Sequence, residues 1–264
     1  MLSDRYRTLG RQLHRYPPPV SASRALALVE RLSTAPGGTV LDVGCGTGGL
    51  LLDTVALHRC RGVGYERSPE LAALARANTA AEGQESRIEI RNQAAREANP
   101  GERFDAILSL DAADSFGNVA EAAERCHGWL RVGGLFVLGE PFLRRAPGAR
   151  YRGLLGERLG VAAERLDGNG AAARAVVRAG FELLWTAILS EAEWDAYEGA
   201  SYRAITAYAS EHPEDPEAAS LRQRAEAWYQ GYWSDGRDTL AFGVHGFVRP
   251  RRTLSLVKLT AASS

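Results

Sequence analysis

Short apolar runs alternate with amphipathic stretches along most of the chain. The apolar runs are rich in β-branched and aliphatic residues and end at glycine, proline or polar positions, which is typical of buried strands. Seven strands are predicted, over residues 39–43, 61–66, 87–92, 104–110, 135–140, 181–189 and 238–249. Helical spacing predominates between most of them. This alternation predicts an α/β fold in which helices cover both faces of a mostly parallel sheet.

The pattern changes before the first strand and after the sixth. Residues 1–35 form a polar segment followed by a helical stretch, and residues 191–235 are polar, helical in spacing and rich in aromatic side chains. The second stretch predicts a helical insertion between the last two strands. We expect these two pieces to form a lid over the sheet, within a single domain spanning residues 1–264.

Charge and cysteine content limit the function further. The 264 residues include 32 Lys and Arg and 32 Asp and Glu, so the formal net charge is zero and no nucleic-acid partner is expected. Cys45, Cys60 and Cys126 are far apart and lack metal-ligand spacing. No metal is therefore predicted, and a reducing, cytoplasmic setting is expected. Neither a secretory signal nor an apolar run long enough to span a bilayer is present, so no membrane association is expected.

A glycine-rich loop follows the first predicted strand and precedes a helix. Gly44, Gly46 and Gly48 fit the pattern GxGxG, whereas Gly44, Gly46 and Gly49 fit GxGxxG. In both patterns glycine lets the backbone approach a ligand closely at the carboxyl end of the first strand. The loop alone therefore leaves open S-adenosylmethionine, a nicotinamide dinucleotide, or a turn without a ligand.

Asp42, two residues before the first glycine of the loop, separates the two cofactors. A carboxylate at this position suits the cationic amino group of S-adenosylmethionine, whereas it adds only repulsion next to a pyrophosphate. The first strand also begins late, at residue 39, after a helical stretch, whereas dinucleotide folds often begin with that strand. Both observations favour S-adenosylmethionine.

Other strand ends supply further candidate contacts to the cofactor. Glu66 ends the second strand, where an acidic side chain accepts hydrogen bonds from ribose hydroxyls. Arg67 follows it and is a candidate neighbour of the adenine. The backbone of Leu110, together with Asp111, ends the fourth strand, where we expect the amino-acid tail and the reactive methyl group.

Several segments together resemble the successive motifs of the class I S-adenosylmethionine-dependent methyltransferases. They are VLDVGCGTGGL, GYERSPELAALAR, FDAILSL and LRVGGLFVLGEPF. Two later segments, GFELLWTAILSEAEWDAYEG and GRDTLAFGVHGFV, are similar to a bacterial subgroup that methylates small molecules. The resemblance extends over residues 20–250. It implies a Rossmann-like, seven-stranded sheet with an antiparallel last strand, and S-adenosyl-L-methionine as cofactor with S-adenosyl-L-homocysteine as product.

The resemblance also implies a set of cofactor contacts, with one departure. Many members of the family have an acidic residue near the adenine where this chain has Ala94, so the backbone of Ala94 and Ala95 is expected to take its place. The predicted cofactor-binding residues are Asp42, Gly44, Cys45, Gly46, Gly48, Glu66, Arg67, Ala94, Ala95, Leu110 and Asp111.

Methyl transfer by in-line displacement requires no protein nucleophile, only alignment of the acceptor atom, the methyl carbon and the sulfur. A base is useful if the acceptor is an amine or a hydroxyl. The candidate bases are Glu140, Glu198, Asp111 and His14. Each has a structural alternative, such as a strand-end hydrogen bond for Glu140 and a solvated position for His14.

A small-molecule acceptor is expected from the aromatic side chains of the predicted lid and core loops. Aromatic walls suit a planar aromatic or heterocyclic compound, or an amine. The predicted substrate-binding residues are Tyr16, Phe116, Phe142, Trp194, Tyr197, Tyr202, Trp233 and Arg237. Aromatic residues at helical spacing more often belong to a packed core than to a pocket. Two other functions remain open: a nicotinamide-dependent oxidoreductase and a non-catalytic S-adenosylmethionine-binding module.

Overall fold

The computed structural model describes residues 2–16, 19–32, 34–159, 166, 168 and 170–251. The strands are β1 (Thr39–Val43), β2 (Arg61–Glu66), β3 (Ile88–Asn92), β4 (Phe104–Leu110), β5 (Leu130–Leu143), β6 (Glu182–Ile188) and β7 (Leu240–Val248). The helices are α1 (Leu2–Arg11), α2 (Ala22–Glu30), α3 (Gly49–His58), α4 (Pro69–Ala81), α5 (Val119–Trp129), α6 (Ala149–Leu159), α7 (Gly170–Arg178), α8 (Glu191–Glu211), α9 (Ala218–Gly231) and the single turn α10 (Arg237–Thr239).

The seven strands form one sheet in the order β3-β2-β1-β4-β5-β7-β6. The strands from β3 to β5 are parallel, whereas β7 runs antiparallel to both β5 and β6. The predicted fold, with an antiparallel last strand, is therefore confirmed. Since β1 and β4 are neighbours whose helices cross to opposite sides, their carboxyl ends open a crevice for a ligand.

β5 is longer than predicted, and its extra length determines on which side of the sheet the helical insertion lies. It pairs with β7 from Leu135 opposite Val248 to Leu143 opposite Leu240, well past the carboxyl ends of the parallel strands. Because β7 starts at that far end, the chain between β6 and β7 returns to the sheet on the side where the crevice opens.

Helices cover both faces of the sheet. Val40, Leu108 and Val137 pack in one hydrophobic cluster together with residues of α2 and α3. Leu41 and Phe136 pack in a second cluster with residues of α5 and α7. Successive strand residues point to opposite faces, so these strands are apolar throughout and their central positions are buried.

A third cluster joins the N-terminal helix to the insertion. Tyr6 and Leu9 of α1 pack with Ile205 of α8 and with Leu221 and Ala225 of α9. This cluster is separate from the sheet, so α1, α8 and α9 form a helical layer of their own.

No helix in the described part of the chain combines the length and apolar character needed to cross a membrane.

Candidate active site

The glycine loop joins β1 to α3 through backbone conformations that favour glycine. The φ angle is +71° at Gly44, +56° at Gly46 and +84° at Gly48. At Gly44 a Cβ atom would lie 2.5 Å from the Cβ of Ala112, so the loop packs directly against the segment after β4. The buried Cys45 continues the loop, and its N–H donates to the carbonyl of Tyr65 over 3.1 Å. The loop backbone is therefore held in one conformation, and its three glycines have no side chain that would keep a ligand away from the backbone.

Glu66, at the end of β2, is tied to this loop by its carboxylate. Oε2 accepts a hydrogen bond from the N–H of Gly46 at 3.0 Å, and Oε1 accepts one from the N–H of Ser68 at 2.8 Å. The residue is only 6% exposed. Each carboxylate oxygen can accept two hydrogen bonds, so one position on each oxygen remains for the two hydroxyls of a ribose.

Asp42 lies in β1 immediately before the loop and is 4% exposed. Burial, and then the neighbouring charge of Glu66, raise the pKa of its carboxyl to about 8. A buried carboxyl of this kind is stabilised in its charged form by a nearby cation. The ammonium group of an S-adenosylmethionine tail would provide one.

Ser115 is a cleft residue that the sequence analysis did not assign. Its Oγ accepts a hydrogen bond from the N–H of Ala95 at 2.9 Å, which leaves its own hydroxyl proton to donate. The backbone N–H of Ala95, expected to contact adenine, is thus already bonded. Ala94 is buried beside it. The contact of Ala94 and Ala95 with adenine stays a prediction.

Two ion pairs narrow the cleft between the ends of β1, β2 and β4. Arg11 of α1 pairs with Asp111, and Arg67 pairs with Asp114 over 2.8 Å. Gly44, Gly46, Glu66 and Leu110 line the same cleft, whose free volume is about 20 Å³. A nucleoside cofactor therefore requires these arginine side chains to move.

Asp111 marks the turn that follows β4. Its φ angle is +55°, in the left-handed region that non-glycine residues rarely adopt. Its N–H donates to the carbonyl of Gly139 over 2.8 Å, which holds this conformation. The strained backbone directs the Asp111 carboxylate toward Arg11 at the edge of the cleft.

The segment after α1 packs on the glycine loop. The hydroxyl of Thr47 lies 3.0 Å and 2.9 Å from the carbonyl oxygens of His14 and Arg15. A Cβ atom at Gly49 would lie 2.2 Å from the carbonyl oxygen of Arg15, so this contact requires glycine. The Tyr16 hydroxyl donates to Asp53 on α3 over 2.6 Å. The N-terminal segment thus covers the outer side of the loop.

A cavity of about 660 Å³ begins where the cleft ends. Arg11, Asp111 and Asp114 line both spaces. Its other described wall residues include Tyr6 of α1, Phe142 of β5, Phe242 of β7, and Trp194, Tyr197 and Glu198 of α8. The structure therefore brings together six sequence-predicted residues from three segments: Asp111, Glu140, Phe142, Trp194, Tyr197 and Glu198.

Two titratable side chains share this cavity on one face of the sheet. Oε1 of Glu140 accepts a hydrogen bond from the N–H of Ala113 at 3.0 Å, and burial raises the pKa of its carboxyl well above the usual value. Nδ1 of His245, on β7, is 2.9 Å from the hydroxyl oxygen of Thr186, and burial lowers the pKa of the His245 imidazole. The sequence analysis missed His245, whose only signal was a polar residue inside an apolar strand.

The remaining candidate base, His14, lies at the contact between the N-terminal segment and α8. Its ring stacks on Tyr197 with 4.5 Å between centroids, and its Nε2 is 3.1 Å from the Ser201 hydroxyl. Burial lowers the pKa of the imidazole. The cavity is lined by Tyr197 and Ser201, and His14 is not among its described lining residues.

The structure places the other predicted substrate residues outside the described cavity wall. The ring of Tyr202 stacks on Tyr229 with 4.6 Å between centroids, and Phe116 packs in the core beneath the sheet. Trp233 is 57% exposed. Arg237 pairs with Asp195 of α8 over 3.0 Å. None of these four side chains is among the described lining residues of the cavity.

A comparison with known families decides the class of the protein. Residues 12–184, more than half of the chain, match the methyltransferase domain family Methyltransf_23. The chain belongs to this family. The predicted class, an S-adenosylmethionine-dependent methyltransferase, is therefore confirmed, and the oxidoreductase alternative has no support.

The methyltransferase is similar to bacterial proteins along nearly its whole length. It is 24% identical over 243 residues to the uncharacterized protein YjhP of Escherichia coli K12, covering 91% of this chain and 96% of YjhP. A solved SAM-dependent methyltransferase of Geobacter sulfurreducens, in complex with S-adenosyl-L-homocysteine, has a TM-score of 0.84 at 23% identity, covering 93% of this chain and 98% of that one. The ubiquinone biosynthesis O-methyltransferase of Bradyrhizobium diazoefficiens is 30% identical over 110 residues, 42% of each chain.

Proposed function

We propose that the protein transfers a methyl group from S-adenosylmethionine to a small molecule held in the 660 Å³ cavity. The observation that carries this proposal is the meeting of the cleft and the cavity at Asp111. A cofactor at the glycine loop would thus present its methyl group to whatever fills the cavity.

Residues in and beside the cleft fit the cofactor in three places. Gly44 lets the loop pack on Ala112 without a side chain, and Glu66 has two hydrogen-bond acceptor positions left for the ribose. Asp42, buried in β1 just before the loop and outside the described cleft lining, offers a carboxyl to the cation of the amino-acid tail. Bound S-adenosylmethionine supplies an electrophilic methyl group. The protein's part is to hold the acceptor in line with that group and to keep water away.

The cavity has the size of a small-molecule site, since such sites are typically about 300–1,000 Å³. Aromatic side chains, among them Tyr6, Trp194 and Tyr197, suit a planar aromatic or heterocyclic acceptor. The described lining includes five arginines and four acidic residues, and burial raises the pKa of the Glu140 carboxyl well above its usual value. This excess of positive charge disfavours a cationic amine, the other acceptor class expected from the sequence.

Residues 1–35 and 191–235 act as the lid in this proposal. The contact of Thr47 with the carbonyl oxygens after α1, and the shared cluster of α1, α8 and α9, support it. Arg11 is part of the same lid and narrows the cleft, so opening of α1 would admit the cofactor. The single-domain organisation and the reducing, cytoplasmic setting stay predictions.

Asp111 is the base we propose, if the acceptor atom must lose a proton. It alone of the four candidates lines both the cleft and the cavity in the described part of the chain. Glu140 and Glu198 line the cavity but not the cleft, and His14 lies behind Tyr197, outside the described lining of both.

Titration calorimetry with S-adenosylhomocysteine and with NAD tests the cofactor assignment. We expect S-adenosylhomocysteine to bind and NAD not to bind; the reverse result would reject the proposal.

Methyl-labelled S-adenosylmethionine is then incubated with the protein and small-molecule extracts, and the products are analysed by mass spectrometry. A labelled product that requires an intact Asp111 supports catalysis. Cofactor binding without any labelled product supports the non-catalytic module instead.

A further inference from the structure

Two buried polar atoms in the cavity wall have no hydrogen-bond partner among the described residues. They are Nε1 of Trp194 and Oε1 of Glu198, in residues that are 7% and 1% exposed. Both residues line the 660 Å³ cavity. They are four positions apart on α8 and therefore share one face of the helix. Since buried polar groups are nearly always bonded to protein, water or ligand, an unpaired donor and acceptor beside a cavity are places where a ligand group can replace water.

The Glu198 carboxylate is fixed by its other oxygen. Oε2 accepts hydrogen bonds from Nε1 of Trp228 at 2.7 Å and from the guanidinium of Arg158 at 3.3 Å. The Arg158 guanidinium also lies 4.1 Å from the centroid of the Trp228 ring. These contacts prevent the carboxylate from rotating freely, so Oε1 keeps its orientation. Oε1 therefore needs a hydrogen-bond donor other than Trp228 and Arg158.

Tyr151 carries the other unpartnered hydroxyl of this region, but it does not supply that donor. Its hydroxyl packs against Gly236, where a Cβ atom would lie 2.5 Å from it. Tyr151 is also absent from the described wall of the cavity. With Tyr151 packed against Gly236, the cavity is the side from which we take the donor to Glu198 to come.

The charges around Glu198 define that donor. Arg158 already neutralises the carboxylate, so a cationic ligand group would meet the guanidinium, and an anionic group would meet the carboxylate. An uncharged group that both donates and accepts is required. A hydroxyl does both with one oxygen atom.

We propose that the acceptor carries an uncharged hydroxyl group that donates to Oε1 of Glu198 and accepts from Nε1 of Trp194. This inference rests on the proposed function, since it assumes that the acceptor occupies the cavity. The hydroxyl is an anchor and not the methylated atom, because Glu198 and Trp194 line the cavity but not the cofactor cleft, whereas Asp111 lines both. Glu198 is accordingly a substrate-binding residue and not the base.

Four ring compounds that differ in one group test the anchor. They are para-ethylphenol, para-ethyltoluene, para-ethylbenzoate and para-ethylbenzylammonium, titrated by ligand-observed NMR in the presence of S-adenosylhomocysteine. We expect the phenol to bind about tenfold tighter than the toluene, the scale of a hydrogen bond to a charged group, and tighter than either ion.

Two variants locate the effect. Trp194→Phe and Glu198→Gln should each weaken phenol binding about tenfold and leave toluene binding unchanged. Trp185→Phe, on the edge strand β6, and Glu226→Gln, an exposed residue of α9, are matched controls and should behave as the wild type. Thermal unfolding verifies that each variant is folded, and the conservative Trp194→Phe serves alone if Glu198→Gln fails to fold.

The outcomes separate the two proposals. If S-adenosylhomocysteine binds but the phenol binds no tighter than the toluene, or an ion binds best, the hydroxyl anchor is wrong and the proposed function stands. An equal loss in the control variants also refutes the anchor. If S-adenosylhomocysteine itself does not bind, the proposed function fails, and the same four titrations without it decide whether the cavity selects a hydroxyl.

Discussion

The backbone N–H of Gly46 donates to Oε2 of Glu66 over 3.0 Å, which links the glycine loop to the end of β2. This bond makes one carboxylate serve two purposes. The carboxylate fixes the loop next to the end of β2, and in the proposed function its second acceptor position on each oxygen binds the ribose. We therefore expect the shape of the loop and the affinity for the cofactor to be coupled through Glu66.

Replacement of Glu66 should weaken cofactor binding. Glu66→Ala removes both ribose acceptors and leaves the N–H groups of Gly46 and Ser68 without their partner. We therefore expect a loss of about 1–3 kcal/mol, or roughly 5- to 150-fold in the Kd of S-adenosylhomocysteine. Glu66→Gln retains one carbonyl oxygen and should lose less. Calorimetry measures both, with the exposed Glu89→Gln on β3 as control. Unchanged affinity in Glu66→Ala would refute the ribose assignment.

A methyl group at Gly44 should be harmful for two reasons that a control can separate. Gly44→Ala forces a side chain into a positive φ angle and places its Cβ 2.5 Å from that of Ala112. Gly83→Ala has only the cost of the positive φ angle, because φ is +64° there and a Cβ atom would have no neighbour within 4 Å. We expect Gly83→Ala to lose about 1 kcal/mol of stability and to bind S-adenosylhomocysteine normally. Gly44→Ala should also weaken the binding of S-adenosylhomocysteine. Equal stability and equal S-adenosylhomocysteine affinity in the two variants would contradict the need for glycine at position 44.

Most of the fold follows from local sequence patterns, and β5 illustrates where they fail. Its apolar core over 135–140 was predicted from the sequence, whereas the five residues before it were not assigned to the strand. In the structure the strand begins at Leu130, and Gly133 adopts a φ of +81° while the register with β4 shifts. Glycine thus allows an irregular strand here as readily as a turn, and only the pairing with β4 and β7 distinguishes them.

The candidate site shows the same limit. Glu66 could be assigned because its strand end and the loop are local features with a fixed spatial relation in parallel sheets. Ser115 and His245 could not, since their neighbours Ala95 and Thr186 are far away in the sequence. The helical spacing of Tyr202 fits a cavity wall and a ring stack equally well, and the position of Tyr229 decides it.

Thr47 should hold the N-terminal part of the lid. Thr47→Val keeps the shape of the side chain but removes the hydroxyl that contacts the carbonyl oxygens of His14 and Arg15. We expect faster amide hydrogen exchange over residues 11–16 and a stability loss of about 1 kcal/mol, with the exchange of the central strands unchanged. Thr206→Val, whose hydroxyl bonds only within α8, is the matched control. Protection of residues 11–16 equal to that of the wild type would argue against this contact.

Asp42 should make stability depend on pH in a direction opposite to that of most carboxylates. Its folded pKa is about 8, above the ordinary value of 3.8, so between these values the folded protein holds a proton that the unfolded chain has released. Stability therefore falls as the pH rises through this window. Asp42→Asn lacks this titration, and its stability relative to the wild type should increase by at most about 4 kcal/mol between about pH 5 and about pH 8.

Urea unfolding between about pH 5 and about pH 8 measures this difference, and groups common to both proteins cancel in it. The exposed Asp238→Asn, which should show no such trend, is the control. S-adenosylhomocysteine should flatten the dependence on pH in the wild type alone, because its ammonium favours the charged form of Asp42. A flat difference without ligand would mean that Asp42 is ionised in the folded protein. A difference that ligand leaves unchanged would separate Asp42 from the amino-acid tail of the cofactor.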